Sequence, residues 1–218
     1  VTISCFNASN VSWRFYANST NLLGDTLIGS GGVKTDWTYI NSPVSFNTTF
    51  DTSVSGIVNL SIYSPDTSMK YSEEVSDTDN STFYFNDSWL PSDYISNYET
   101  YKIQTYWSNS TDIGLNNTNL FILAPTTYSD LTPENEYLNT GSPFEIQIRY
   151  TDTYTGQFVS GASVTYNNGT GWFSDVVEDG VNEWYEITID PSNYAAGDHS
   201  VDIRLNNSYH QNLTYTYN

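Results

Sequence analysis

The sequence predicts an all-β protein of two tandem β-sandwich domains, and three observations carry that expectation. First, residues that suit a pleated, half-buried surface dominate: 19 Tyr, 10 Phe and 6 Trp join abundant Thr, Val and Ile, whereas the helix formers Lys, Glu, Ala and Leu are scarce. Second, apolar and polar residues alternate with a period of two along many short stretches. Third, 218 residues exceed one sandwich of ordinary size and suit two. The hydrophobic fraction is only 38%, but large aromatics bury more area per residue than aliphatics, so two cores can be filled.

Taken in order, the first segment offers strands at Val1 to Phe6, Val11 to Tyr16, Leu22 to Ile28, Trp37 to Ile40, Val44 to Phe50 and Gly56 to Tyr63. Thr82 to Phe85, Tyr101 to Trp107 and Asn119 to Leu123 complete it. The stretch Trp89 to Tyr94 reads as an irregular connection with one helical turn, and Asp77-Thr78-Asp79-Asn80 reads as a loop. A border falls at Ala124-Pro125-Thr126-Thr127, after a strand and before a polar stretch containing Pro133. The domains are thus 1–124, larger and with room for extra strands in a jelly-roll-like arrangement, and 125–218. In the second, Phe144, Ile146, Ile148 and Tyr150 alternate with polar residues, followed by a Thr155-Gly156 turn. Ala162, Val164 and Tyr166 alternate next, and then comes the Asn167-Asn168-Gly169 turn. Trp172 to Val177, then Tyr185, Ile187 and Ile189, then Val201 to Asn206 and Asn212 to Tyr217 close it. About seven short strands separated by turn signals is the pattern of an immunoglobulin-like sandwich.

Net charge is −19, from 25 acids against 6 bases. Phosphate backbones and anionic membrane surfaces repel such a chain, so nucleic acid is excluded as a partner. The longest apolar run, Leu120-Phe121-Ile122-Leu123-Ala124, is far too short to insert into a bilayer. Charged residues make up only 14%, which leaves Ser, Thr and Asn to cover the surface, as in many extracellular proteins. The single Cys5 excludes a disulfide framework within the chain. It reads as a small buried hydrophobe sharing strand parity with Ile3, with pairing outside this segment as the alternative. The opening on Val1 within a strand-like stretch reads as a segment of something longer.

The densest local signal is Asn-x-Ser/Thr, at Asn7, Asn10, Asn18, Asn47, Asn59, Asn80, Asn86, Asn109, Asn116, Asn168, Asn206 and Asn212. Random placement of 24 Asn and 55 Ser or Thr would give roughly 6 such triplets, half of the 12 present. Parity agrees with solvent exposure: Val58, Leu60 and Ile62 take one face and leave Asn59 on the other, as Val201, Ile203 and Leu205 do for Asn206. A glycan needs solvent, and these positions offer it.

Catalytic signatures are absent. His199 and His210 flank a strand connection, no Gly-x-Ser-x-Gly elbow is present, and Gly29-Ser30-Gly31-Gly32 lacks the Lys of a phosphate loop. Adjacent acids such as Glu73-Glu74 point to opposite faces of a strand and cannot converge on one bond. Spacings of His and Cys that would suit a transition metal are missing, so the sequence predicts no enzyme and no obligatory cofactor. Ca²⁺ is the one ion left open, through Asp77 and Asp79 or through Asp175, Glu178 and Asp179, because hard carboxylate oxygens suit it. Flat rings stack on sugars, and Trp89, Tyr94 and Trp37 are the aromatics expected at the surface for such a contact; glycans are therefore a second candidate partner.

The run from Tyr150 through Asp152, Thr155-Gly156, Val159 and Gly161-Ala162 to Val164 resembles the Ig-like repeats of large bacterial and archaeal surface proteins, whose hallmark is an Asp…Thr-Gly turn followed by Val, Gly-Ala and Val. Trp184 to Asp190 and Ala196 to Val201 look like the next two strands of that family, and Val58 to Tyr63 and Tyr106 to Thr111 look like archaeal surface repeats. The resemblance covers roughly residues 140–206 and 43–123. It implies a non-catalytic module of a coat, stalk, surface layer or filament at the cell surface, packed with copies of itself or neighbouring repeats. The alternative is an adhesin or carbohydrate-binding module.

Overall fold

The computed structural model describes residues 23–29, 36–85, 88–110, 113–133, 142–195, 197 and 199–218. These residues form β1 (Leu23–Gly29), β2 (Trp37–Tyr39), β3 (Val44–Tyr63), β4 (Met69–Tyr84), β5 (Thr100–Ser108), β6 (Ile113–Leu123) and β7 (Thr126–Asp130). They continue with β8 (Phe144–Asp152), β9 (Ser163–Asn167), β10 (Trp172–Phe173), β11 (Val177–Asp179), β12 (Trp184–Ile189), β13 (Val201–Asn206) and β14 (Leu213–Tyr217). Single 3-10 turns at Pro91–Asp93 and Pro191–Asn193 are the only helical elements among the described residues. The protein is all-β and sandwich-built, as the alternation predicts. Its contacts divide it into two units. One takes the described residues up to Thr38 with Pro43–Leu90 and Thr100–Leu120, and the other takes Tyr39–Ser42, Pro91–Glu99 and Phe121–Asn218.

The first unit is organised by one long ribbon. β3 and β4 pair antiparallel over most of their length, and β3 also pairs with β1 through its first half and with β5 through its second. Val58 lies opposite Trp107 of β5, yet the ring of Phe50 sits 5.5 Å from that of Trp107. Eight residues of straight strand would separate Phe50 from Val58 by about 26 Å. The ribbon therefore turns over at the register shifts between Thr49 and Gly56, and its two halves become the two layers of the sandwich. Phe46, Phe50, Phe83, Phe85, Trp89 and Trp107 are buried between those layers. Phe46 lies 5.4 Å from Trp89, and Tyr71, from the other half of the ribbon, lies 6.0 Å from it.

Gly56 makes the turnover possible. Its φ is +150°, and a Cβ there would lie 2.4 Å from the Ser108 carbonyl oxygen and 2.8 Å from Trp107 Nε1. At the far end of the ribbon the turn is closed by Asp66, whose carboxylate accepts hydrogen bonds from the Ser64 hydroxyl and from the Ser68 amide (3.0 Å) and hydroxyl (2.8 Å). Those bonds, with Ser64 first, lower its pKa to about 2.

The second unit packs two four-stranded sheets, β10-β9-β13-β14 and β11-β12-β8-β7. Ile146, Ile148 and Tyr150 of β8 and Tyr185, Ile187 and Ile189 of β12 meet Val164 and Tyr166 of β9 and Val201, Ile203 and Leu205 of β13. Buried phenols need partners for their hydroxyls, and they find them in loops. Tyr185 Oη donates to Val159 O (2.7 Å) and accepts from Ala162 N (2.8 Å), pinning the 159–162 turn to the core. Tyr150 Oη donates to Gln211 O at 2.5 Å and holds the segment leading into β14.

Several expectations need correction. Val44 to Phe50 and Gly56 to Tyr63 are one strand, because Val54 and Gly56 stay paired to Asn80 and Asp77 through the turnover. Asp77 to Asn80 is accordingly strand rather than loop. β4 is an edge with both faces near solvent, and it needs few apolar residues to be a strand. The polar β7 was hidden from periodicity for the same reason. The stretch Trp172 to Val177 splits, with β10 pairing in one sheet and β11 in the other. The strand expected at Asn119 to Leu123 begins earlier, at Ile113. The strands expected at Val1 to Phe6 and Val11 to Tyr16, together with Cys5, lie outside the described residues.

Replacing Gly56 with alanine should cost the protein about 2–4 kcal/mol, since backbone and a buried indole must both move. Urea unfolding followed by tryptophan fluorescence measures this, and an unchanged midpoint would refute the turnover at Gly56.

Candidate functional site

Eight of the sequon asparagines are described, and strand parity or turn position sets each one. Asn80, Asn109, Asn206 and Asn212 are exposed, and Asn47, Asn59, Asn116 and Asn168 are half-buried. Asn206 ends β13, where Val201, Ile203 and Leu205 point into the core. Asn168 lies in the β9–β10 turn, and its Oδ1 accepts from the amide (3.2 Å) and hydroxyl (2.7 Å) of Thr170 in its own triplet. Asn59 accepts at Oδ1 from Ser61 Oγ (2.9 Å), again its own triplet, and from Ser72 Oγ (3.2 Å) across on β4. At Asn47, Oδ1 is buried without a hydrogen-bond donor. Asn7, Asn10, Asn18 and Asn86 lie outside the described residues.

The acids considered for Ca²⁺ are found capping their own turns and neighbours. Asp77 accepts from Asn80 Nδ2 (2.8 Å) and Thr78 N (2.7 Å), and these bonds hold its carboxyl below the ordinary value. Asp79 adopts φ of +60° and donates its amide to Ser55 Oγ at 3.0 Å. Asp179 accepts from Asn182 N (2.9 Å), Asn182 Nδ2 (2.7 Å) and Val181 N (3.0 Å), which lowers its pKa as well. Glu178 accepts from Gly161 N at 2.8 Å, and Asp175 bonds the Tyr166 hydroxyl. Among the described residues no three His, Cys, Asp or Glu side chains gather in a group able to hold a metal ion.

The three aromatics expected at the surface divide. Trp37 and Tyr94 are 44% and 42% exposed, but Trp89 is 0% exposed. The expectation for Trp89 is corrected by its backbone: its carbonyl accepts from Val44 N at 2.9 Å, which draws the irregular stretch against β3 and drives the indole inward onto Phe46. Parity says nothing about a residue outside a strand, so the sequence had no signal for this. Another surface indole escaped notice: Trp172 on β10 is exposed, and the Arg204 guanidinium covers its face at 3.7 Å. Strand parity, counted from Val58, Trp107 and Leu120, places a further apolar group on the outer face of the first unit, at Ile57, Tyr106, Ile113 and Leu115, and all four are exposed.

The most constrained carboxylate is Asp152 at the end of β8. It is 4% exposed, and it accepts from Tyr98 Oη (2.5 Å), Tyr154 N (2.8 Å) and Thr155 N (3.2 Å). Burial pushes its pKa up, but these donors outweigh burial and hold it below the usual carboxylate value. Burial and the same carboxylate push the Tyr98 hydroxyl far up, so it stays a donor throughout the accessible pH range.

A depressed carboxyl stabilises the fold above its unfolded pKa and loses that contribution as pH falls through the folded value. Asp152→Asn should therefore cost about 1–3 kcal/mol at neutral pH and progressively less below about pH 4, read from urea midpoints across pH. Trp89→Ala should behave as a core truncation and lose about 3–5 kcal/mol in the same assay, rather than leaving the fold intact as removal of a surface ring would.

No protein-family model matches the chain, and no curated protein matches it. Among solved structures, the chain is similar to a tetra-tandem repeat from the extending region of a large adhesion protein, at 11% identity and a TM-score of 0.44, over 91% of this chain and 49% of that one. This chain thus spans about half the length of that repeat array. It is also similar to a chimeric titin Z1Z2 carrying a decorin-derived peptide, at 11% identity and a TM-score of 0.29, over 92% of this chain and 94% of that one.

Proposed function

We propose that this chain is a non-catalytic structural module of an N-glycosylated extracellular surface protein, such as a coat, stalk, surface layer or filament subunit. The observation that carries the reading is the sorting of sequons against the core. Each described sequon asparagine is exposed or half-buried, and at Asn47, Asn59 and Asn206 the adjoining strand positions Phe46, Thr48, Val58, Leu60 and Leu205 are buried. The acids support the same reading, because those considered above serve turns and edges rather than converging on a common point. Contact with copies of itself or with neighbouring repeats belongs to this proposal. Among the described residues β14 is an edge strand, with Leu213, Tyr215 and Tyr217 half-buried and no acid along it, and it suits strand addition better than the acidic edge at β4.

Glycopeptide mass spectrometry on material from the native source tests the proposal. Hexose-bearing adducts are expected at Asn59, Asn80, Asn109, Asn168, Asn206 and Asn212, with Asn47 the least occupied. A bare polypeptide mass would overturn the glycoprotein reading.

A further inference from the structure

The outer face of the first unit carries an apolar patch that the fold itself does not explain. On β3, Asn59 is the direct cross-strand partner of Tyr106 on β5, and Ile57 is the partner of Ser108. The register between β5 and β6 follows from two bonds with the same offset: Ile122 N donates to Glu99 O at 3.0 Å, and Gln104 Nε2 donates to Asn117 Oδ1 at 3.1 Å. That offset puts Leu115 beside Tyr106 and Ile113 beside Ser108. Ile57, Tyr106, Ile113 and Leu115 thus occupy two adjacent rows, each with 41–42% of its surface open. Together they expose on the order of 300 Å², the size of the largest apolar patch on an ordinary monomer, which is often functional.

One residue in those rows, Asn59, heads an Asn-x-Ser triplet. Asn59 stands beside Tyr106, and directly opposed side chains have Cβ atoms about 5 Å apart. Its Oδ1 is turned toward Ser61 and Ser72, on the β4 side, by the two bonds it accepts. Nδ2, the atom that takes an N-linked sugar, is thereby left on the β5 side, toward the tyrosine ring. Resting on the glycoprotein reading above, we infer that the glycan on Asn59 lies across this patch, with the C–H face of its first sugars on the Tyr106 ring and against Leu115 and Ile57. The patch and the sugar form one surface, in which the carbohydrate shields apolar side chains and the side chains hold the carbohydrate down. A second copy of the chain is the weaker occupant of this face, because a sugar at Asn59 would stand in the middle of any flat protein contact there.

A double-mutant cycle on the full glycosylated chain tests this. Asn59→Gln and Ser61→Ala both remove the sugar by different routes, and Tyr106→Ser removes the ring. Each sugar-removing change should lower the melting temperature by ~3–6 °C when Tyr106 is present, and by under ~1 °C when it is serine. Removal should also raise binding of the apolar dye anilinonaphthalene sulfonate several-fold. If Asn59 is occupied and the two effects simply add, the inference falls while the glycoprotein reading stands. If Asn59 alone is bare while other sequons carry sugar, the inference again falls by itself; if no sequon carries sugar, both fall. Self-association of the glycosylated chain that Leu115→Asp abolishes would assign the patch to a second copy and overturn the inference.

Discussion

The alternation of inward and outward side chains along β3 and β5 is the constraint on which the remaining structure depends. Val58, Leu60 and Ile62 face one way and Tyr101, Ile103 and Trp107 complete the same buried layer, so every residue between them is committed to the other side. A slip of one residue would carry Asn59 into the core and Leu60 into solvent, a loss on both counts. The position of a sequon and the position of a core residue are therefore one decision. That is why the outer face of this unit can be discussed as a designed surface rather than as what the core left over.

Filling the cores with aromatics instead of aliphatics has consequences for the loops. A buried leucine asks nothing of its surroundings beyond contact, whereas a buried tyrosine brings a hydroxyl that must be satisfied. Tyr185 and Tyr150 reach from the core to Val159 O and Gln211 O, so hydrogen bonds tie these loops to the core, beside the apolar packing of Phe158, Val159 and Ala162 in the first of them. Tyr98 does the same for the segment leading into β5, through Asp152. This accounts for polar loops that hold a defined course despite containing few apolar residues. Trp107 sits at the other extreme, with Nε1 buried and unbonded close to Gly56, and shape rather than hydrogen bonding fixes its place.

How much of this was legible beforehand follows from where each residue sits relative to the core. Strands with one buried face announced themselves: β8, β12 and β13 carry alternation that survives intact in the structure. The polar edge strands β4 and β7 did not. Among the described residues β4 pairs along one side only; its end at Thr82 to Tyr84 reads as strand, but from Met69 to Ser81 its acids and serines follow no apolar alternation and only the register with β3 reveals the strand. The turnover of β3 was likewise invisible, because Gly56 looks like an ordinary turn residue and only the Phe50–Trp107 contact reveals what it permits. At the candidate site, the sequons and their parity were readable from single strands. The relation of Asn59 to Tyr106 was not, since it depends on which strands are neighbours.

The acidic residues close the argument from the other direction. In a chain with 25 acids and 6 bases, carboxylates outnumber any partners of opposite charge, and most must be satisfied without a cation. The structure satisfies many of them with backbone and amide N–H groups: Asp66, Asp77, Asp152, Asp179 and Asp190 each accept from residues one to three positions along the chain. Such bonds favour the ionised form, so they stabilise turns most where the protein is most negative. The same charge, set along the open edge of β4 at Glu73, Glu74, Asp77 and Asp79, repels an incoming strand of like composition. Acidity thus does local work in turns and long-range work at an edge. Among the apolar side chains that remain exposed, Ile57, Tyr106, Ile113 and Leu115 lie around Asn59, and in the proposed function a carbohydrate covers them.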